Sequence, residues 1–271
     1  MKKKKNGKTT SGKNSKKTPL KKGMFFVLKL LLFFFVLSLV IPLLYRWVNP
    51  PVTFLMLQRK FLNGYAIQKE WKSLEQISPT LYQCAVAAED NNFLGHRGFD
   101  FGAIQKALDE RESGKRKRGA STISQQTAKN VFLFPQQSWV RKGAEVYFTF
   151  LIETFWSKER IMEVYLNVIE MGEGIYGAEA ASRTFFHKAA ADLTLRQSAL
   201  ITATYPDPLH RSPVRPTSYL SNRADKIAQL SQKIGPVKFD KASLQKARER
   251  YLKRENKRVK KNDGKWIDIS R

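Results

Sequence analysis

A chain of 271 residues with 49 lysines and arginines against 23 acids, a formal charge of +26, has room for one folded domain plus appendages and calls for an anionic partner. A single cysteine, Cys84, excludes an intrachain disulfide, and the three widely spaced histidines (His96, His187, His210) form no His-Glu-x-x-His zinc pattern. Neither a phosphate-binding Gly-x₄-Gly-Lys-Ser/Thr loop nor a nucleophile elbow is present.

The charge is uneven along the chain. Residues 1–23 hold ten lysines and no acid, too polar a stretch to fold alone. Met24–Leu44 is apolar and as a helix spans about 31 Å, one hydrocarbon core. Its one charge, Lys29, lies near the basic end and can snorkel. The run is long for the apolar part of a signal peptide and no small-x-small cleavage site follows. Residues 24–48 therefore read as an uncleaved signal anchor. The positive-inside rule keeps residues 1–23 cytoplasmic and puts the chain from residue 49 on the outer side.

Two prolines at 50–51 mark the exit from the anchor, and a mainly α domain is expected over 49–235. Ser78-Pro79 reads as an N-cap and first helical position, opening a helix that turns Leu81, Cys84, Ala85 and Ala88 inward and ends near Glu89. Residues 109–119 read as a charged loop containing the Lys115–Arg118 cluster. A helix beginning near Thr122 stops at Leu133-Phe134-Pro135. From Ser138 to Trp156 apolar residues run nearly all round, which predicts a central buried helix. Ser157 caps the helix after it, 172–177 is a glycine turn before an alanine-rich segment, and 193–204 reads as amphipathic. Residues 236–271 form a basic helical tail with two readings, a solvated frayed helix or a membrane-surface helix.

Three stretches carry candidate chemistry. Glu89 and Asp90 end an apolar helix, a setting for a general base near neutral pH, although an ordinary acidic helix end has the same pattern. In 118–130, Gly119 with Ser121 or Thr122 suits a helix start whose free N–H groups attract an anion, while Thr122, Gln126 and Lys129 share one helical face with Asn130 adjoining. A polar solvent face would look the same. In 141–145, Arg141 and Glu145 are i, i+4 neighbours in an apolar helix, in the less favourable order for a simple helical ion pair. Two separated carboxylates with cations between them suit glycosyl chemistry. Ser243-Leu-Gln-Lys246 matches a Ser-x-x-Lys form but lies in the basic tail without a domain around it.

Taken in order, "EDNNFLGHRGFD" (89–100), "GASTISQQTAKN" (119–130), "RKGAE" (141–145) and "KERIMEVYLN" (158–167) resemble the peptidoglycan glycosyltransferase family, specifically its monofunctional biosynthetic transglycosylases. The resemblance spans roughly residues 50–230. Departures are mild: Ala120 stands in place of a glycine, Gln197 in place of a glutamate, and Lys106 where some relatives have arginine. The resemblance implies a lysozyme-like α fold behind the single transmembrane helix. It implies polymerisation of a lipid-linked disaccharide-pentapeptide pyrophosphate, lipid II, into glycan strands, with inversion at the donor sugar. Glu89 would take the proton of the acceptor hydroxyl and Glu145 would stand near the leaving pyrophosphate. The implied substrate-binding set is Asp90, Phe93, His96, Ser121, Thr122, Gln125, Gln126, Lys129, Asn130, Arg141 and Lys142. No cofactor is required and no protein metal ligand is expected, with a divalent cation, Mg or Mn, an option at the pyrophosphate. The implied partners are lipid II, the growing glycan chain, the bilayer of the plasma (inner) membrane and cell-wall synthesis or division proteins, not nucleic acid. The competing readings are a muramidase-like hydrolase on the same fold and a membrane-anchored binder of anionic polymers.

Overall fold

The computed structural model describes residues 19–114, 119–136 and 138–261. The lysine block up to residue 18, the Lys115–Arg118 cluster and residues 262–271 lie outside them. The chain divides into two compact units, up to Ile41 and from Pro42 onward. The first is the body of α1 (Pro19–Leu44). From Gly23 to Leu44 this helix has a mean hydropathy of 2.8 over its most apolar window and no buried residue in it, so by length and composition it can cross a membrane.

The second unit is mainly α, and most of its helices start at a residue suited to capping. Thr53 caps α2 (Phe54–Asn63), which ends at Gly64 in the left-handed conformation, before the short strand β1 (Gln68–Lys69). In α3 (Pro79–Glu89) the proline occupies the first turn, where an N–H has no helical partner to lose. Ser78 precedes it as expected, but its hydroxyl donates to the Leu193 carbonyl at 2.9 Å instead of capping. Asp100 caps α4 (Phe101–Glu112), Thr122 caps α5 (Ile123–Phe132), Ser138 caps α6 (Trp139–Phe155) and Ser157 caps α7 (Lys158–Val168). The expected glycine turn joins β2 (Glu170–Gly172) to β3 (Ile175–Tyr176), a hairpin the sequence reading did not contain. The sheet order is β1-β3-β2, with β1 parallel and β2 antiparallel to β3. Then follow α8 (Ala178–Phe186), α9 (Leu195–Thr204), α10 (Ser218–Ile234) and α11 (Lys241–Lys261).

The core gathers around α7, where Ile161, Met162, Val164, Tyr165 and Leu166 are all fully buried against Leu81, Ile123 and Ile152. Buried Asn167 ties this helix to the segment before α3: its amide donates to the Lys72 carbonyl at 2.8 Å and its oxygen accepts from the Lys72 N–H at 2.9 Å. A smaller cluster of Cys84, Ala199, Leu200, Ala203, Leu220, Ala224 and Ile227 joins α3, α9 and α10. Its small side chains let the three helices approach closely.

Three expectations need correction. The 139–155 helix is not central: only Glu145, Thr149, Leu151 and Ile152 are buried, while Trp139, Val140, Val146 and Phe150 are exposed. Apolar content shows that a face avoids water, not whether protein covers it. Helix α9 is not amphipathic, since every residue from Ser198 to Thr204 is buried: the Thr202 and Thr204 hydroxyls bond back to the Ser198 and Ile201 carbonyls, and the Ser198 hydroxyl bonds that of Thr80. As far as Lys261, the last described residue, the basic tail is a docked helix and not a free one. Helix α11 docks on the segment after Glu89 through a hydrogen bond from Arg248 to the Gly95 carbonyl (3.0 Å), one from Arg254 to Asn92 (3.3 Å), and the buried Tyr251. The approach is close enough that a Cβ on Gly95 would lie 2.7 Å from Tyr251 Cβ, and one on Gly102 would collide with the Arg258 guanidinium.

Two glycines make a matched stability test. Gly174 has φ +67° in the β2–β3 turn, and a Cβ there would strike the Ala66 carbonyl. Gly174→Ala should cost at least about 1–3 kcal/mol in denaturant unfolding. Gly143, inside α6 with nothing within 4 Å of an added Cβ, should gain stability by up to about 1 kcal/mol as Gly143→Ala.

Candidate active site

The two adjacent acids at the end of α3 have different jobs. Asp90 is buried and accepts from His96 Nε2 at 2.9 Å and from the Ile123 backbone N–H at 3.0 Å. The anion at the start of α5 is thus supplied by the protein itself, not left for a ligand. Glu89 is only half-buried and faces a cavity. Its Oε2 accepts from Gln126 Nε2 at 2.8 Å, so α5 positions it.

Much of the polar start of α5 is spent internally. Thr122 accepts from the Gln125 N–H, and Gln125 reaches back to the Thr122 N–H at 3.0 Å, a reciprocal cap. The Thr122 hydroxyl also donates to the Gly98 carbonyl at 2.6 Å. Ser124 donates to Glu153, which also binds Lys158 at 2.6 Å. The Lys158 ammonium lies 4.6 Å from the centre of the Phe93 ring, and its burial lowers its pKa. Phe93, His96 and Gln125 are buried and do not line the cavity beside Glu89, whereas Asp90 and Thr122 line it with their polar atoms bonded to the protein itself. Gln126 is different: its oxygen accepts from the Tyr165 hydroxyl at 3.4 Å, which turns its NH₂ toward Glu89. Burial, with Glu89 nearby, holds the Tyr165 hydroxyl protonated well above the usual range, and burial does the same for Tyr205.

The second carboxylate is built into a cationic group. Glu145 is 3% exposed; its Oε1 meets Lys142 Nζ at 2.5 Å and its Oε2 meets Arg141 Nη1 at 3.4 Å. A carboxylate this buried is tolerated because both oxygens are paired. The Arg141 Nε is buried without an acceptor. Lys129, on the same α5 face as Gln126, makes no ion pair within 4 Å among the described residues, and Asn130 beside it is half-buried. Burial lowers the Lys129 pKa, Glu145 and Glu89 raise it, and Arg141 and Lys142 lower it further. Lys129 thus feels both carboxylates, and the structure brings Glu89, Gln126, Lys129, Arg141, Lys142 and Glu145 into one region. An unpaired lysine beside an orphaned guanidinium N–H suits a phosphate. A protein-held divalent cation does not fit there: the donors around Glu145 are cations, and among the described residues no three His, Cys, Asp or Glu side chains converge.

Glu89 opens onto a cavity of about 500 Å³ also lined by the exposed Ser121. The same cavity is lined by Lys106, Arg223, Lys226 and Arg258, none of which the sequence reading assigned to the site. Arg223 and Lys226 are i, i+3 on α10 and read as an ordinary solvent face, and Arg258 lies in the tail. Tyr165 was within a quoted motif but had no signal separating it from a core residue. Gln197 completes the cap of α9 with Thr194, a structural use.

A family model described as Transglycosylase matches residues 57–232. A protein of Bacteroides thetaiotaomicron named biosynthetic peptidoglycan transglycosylase is 52% identical over 217 residues, 78% of this chain and 88% of its own. Proteins of the same name from Caulobacter vibrioides (52% identity; 73% of this chain, 85% of its own) and Pseudomonas putida (49%; 76% and 90%) match similarly. The matched segment runs from within α2 to near the end of α10 and holds both carboxylates and the cations around Glu145. On that extent of sequence, the chain belongs to the transglycosylase family.

Proposed function

We propose that this protein is a peptidoglycan glycosyltransferase that lengthens glycan strands from a lipid-linked disaccharide-pentapeptide pyrophosphate. The observation that carries the reading is the pairing of a cavity-facing carboxylate, Glu89, with an underneutralised cationic group at Lys129, Arg141 and Lys142. Glu89 takes the proton of the acceptor's 4-hydroxyl as that oxygen attacks the donor's anomeric carbon. The bond to the pyrophosphate breaks on the opposite face, so the configuration inverts and polyprenyl diphosphate departs. Lys129 and Arg141 stabilise the charge that grows on the leaving oxygens. Glu145 holds Arg141 and Lys142 in place for that task. Gln126, oriented by Tyr165, keeps the Glu89 carboxylate aimed at the cavity.

Membrane attachment fits the same reading. The Gly23–Leu44 helix can anchor the chain in the layer that holds its lipid-linked substrates. Phe134, Trp139, Val140 and Phe150, before and along α6, expose large apolar side chains suited to a lipid surface. With the N-terminal lysines on the cytoplasmic side, the catalytic unit lies on the outer side. A reporter that works only outside the cytoplasm should be active when fused after Arg271 and silent when fused before Met24; the opposite pattern would reverse this orientation.

The decisive assay supplies purified protein with the lipid-linked precursor, and separately with finished lipid-free glycan. Polymer should form from the first, and no new reducing ends should appear from the second. Cleavage of glycan with no polymer would make the chain a hydrolase. Glu89→Gln should lower polymerisation at least about 10²-fold with unchanged circular dichroism, as expected for loss of a general base. A near-normal rate would remove Glu89 from that role.

Lys129 supplies a pH test. Its pKa lies below that of an ordinary lysine because of burial, so its charge is present at low pH and is lost early as pH rises. The alkaline limb of kcat/KM should therefore move upward in Lys129→Arg, whose guanidinium stays charged. An unmoved limb would mean that Lys129 does not carry the phosphate contact.

A further inference from the structure

His96 holds Asp90 with one ring nitrogen and has no partner for the other. Its Nε2 lies 2.9 and 3.0 Å from the two Asp90 oxygens, while its Nδ1 is buried without a hydrogen bond. A ring bonded at one atom is free to swing about that bond, so packing has to fix the plane of this imidazole. Two aromatic rings meet it edge to face: Phe93, with centroids 6.4 Å apart and planes at 75°, and Tyr251, at 6.1 Å and 71°. Phe93 belongs to the same turn as His96. Tyr251 comes from α11, which begins beyond the segment matched by the family model.

The other contacts of α11 converge on that turn. Tyr251 is buried and leaves no room for a side chain on Gly95. Arg248 donates to the Gly95 carbonyl and Arg254 to the Asn92 side chain. Asn92 closes the turn: its carbonyl accepts from the Gly95 and His96 N–H groups, and its side-chain amide donates to Asp100. Helix α11 thus grips the turn at Asn92 and Gly95 and sets a ring against His96 next to them. Tyr251 itself does not line the cavity beside Glu89.

We propose that Tyr251 is a positioning residue for Glu89, acting through His96, Asp90 and the start of α5. The proposal rests on the reading of Glu89 as the acceptor's base. Each link is a contact: Tyr251 steadies the His96 ring, His96 holds Asp90, Asp90 binds the Ile123 N–H, and α5 carries Gln126 to Glu89. Coupling of this kind is reciprocal, so the turn that seats α11 is itself held by α11. The effect is geometric and needs no proton transfer. A swing of His96 frees Asp90, α5 then shifts, and Gln126 no longer aims the carboxylate.

Three variants of the full-length protein separate positioning from general support. Tyr251→Ala removes the ring, Tyr251→Leu keeps apolar bulk beneath α11, and Tyr251→Phe keeps the ring without the hydroxyl, which reaches the Phe99 carbonyl only at 3.5 Å. Amide hydrogen exchange is followed at Ile123, whose N–H binds Asp90, and at Leu166, fully buried in α7. Tyr251→Ala and Tyr251→Leu should speed exchange at Ile123 by about tenfold and leave Leu166 unchanged, while Tyr251→Phe keeps the wild-type rate. The same two variants should lower kcat for polymerisation by about tenfold at nearly constant KM, as for a misaimed base and not a lost binding contact. In a His96→Asn background, Tyr251→Ala should cause no further loss of kcat, since the ring it steadies is gone. Unchanged exchange at Ile123 overturns the proposal. So does equal acceleration at Ile123 and Leu166, which would make Tyr251 a support of the whole fold, and so does an undiminished effect of Tyr251→Ala in the His96→Asn background. Normal turnover by Glu89→Gln, with Ile123 exchange still governed by Tyr251, would overturn the reading of Glu89 as the base and leave the coupling of Tyr251 to Asp90 standing.

Discussion

Asp90 accepts hydrogen bonds from the His96 ring and from the first amide of α5, and so joins three pieces of chain: the end of α3, the turn after it and the helix that carries Gln126 and Lys129. The rest of the site depends on this tie. If α5 shifted along its axis, Gln126 would leave Glu89 and Lys129 would leave Glu145. A buried carboxylate costs several kcal/mol unless its oxygens are bonded, and here both are. The same bonds explain why two acids stand side by side. One is given up to the interior so that the other can be held still at the cavity.

Behind Asp90 lies a second buried charge pair, Lys158 and Glu153, covered by Phe93 and extended by Ser124. It links α5, α6 and α7 with charged groups where hydrophobic packing alone would serve. Such a pair adds little net stability but penalises any other register of the three helices. Glu145 follows the same rule at the cleft. Its two cations neutralise it, while Lys129 nearby stays unpaired. The charge available to a ligand is therefore what remains after the protein's own carboxylates are satisfied, and among the described residues it remains at Lys129 and at the Lys106, Arg223 and Lys226 side chains that line the cavity.

The elements that were legible in the sequence are those set by local chemistry. Ser, Thr and Asp caps with proline punctuation place the starts of α3, α5, α6 and α7, because a cap needs only its own first turn. The motif spacing also brought Glu89, Gln126, Lys129 and Glu145 together. What local chemistry does not reveal is anything that depends on a distant partner. The Thr122 hydroxyl at a helix start is chemically suited to an anion, and the family resemblance added Gln125 to the substrate set. The same two side chains cap the helix, and the Thr122 hydroxyl bonds Gly98. His96 and Phe93 were expected at the substrate through the family resemblance, and nothing local reveals that Asp90 and Lys158 lie against them. The burial of α6 was overestimated because its aromatic residues have no sequence mark to say whether protein or another apolar phase covers them.

Helix α11 shows the same limit from the opposite side. Its composition, basic with few apolar residues, gives no reason to expect a docked helix. The docking is carried by one aromatic ring, two arginine-to-backbone or side-chain bonds and the absence of side chains at Gly95 and Gly102. A helix held by so small an apolar contact is stable only if its partner surface is preformed, and that surface is the segment that Asp90 fixes. The order of dependence then runs from Asp90 to the 91–102 segment, and from that segment to α11 and Arg258. Glu89 and Arg258 are thus both positioned through one buried anchor, although they lie far apart in the sequence.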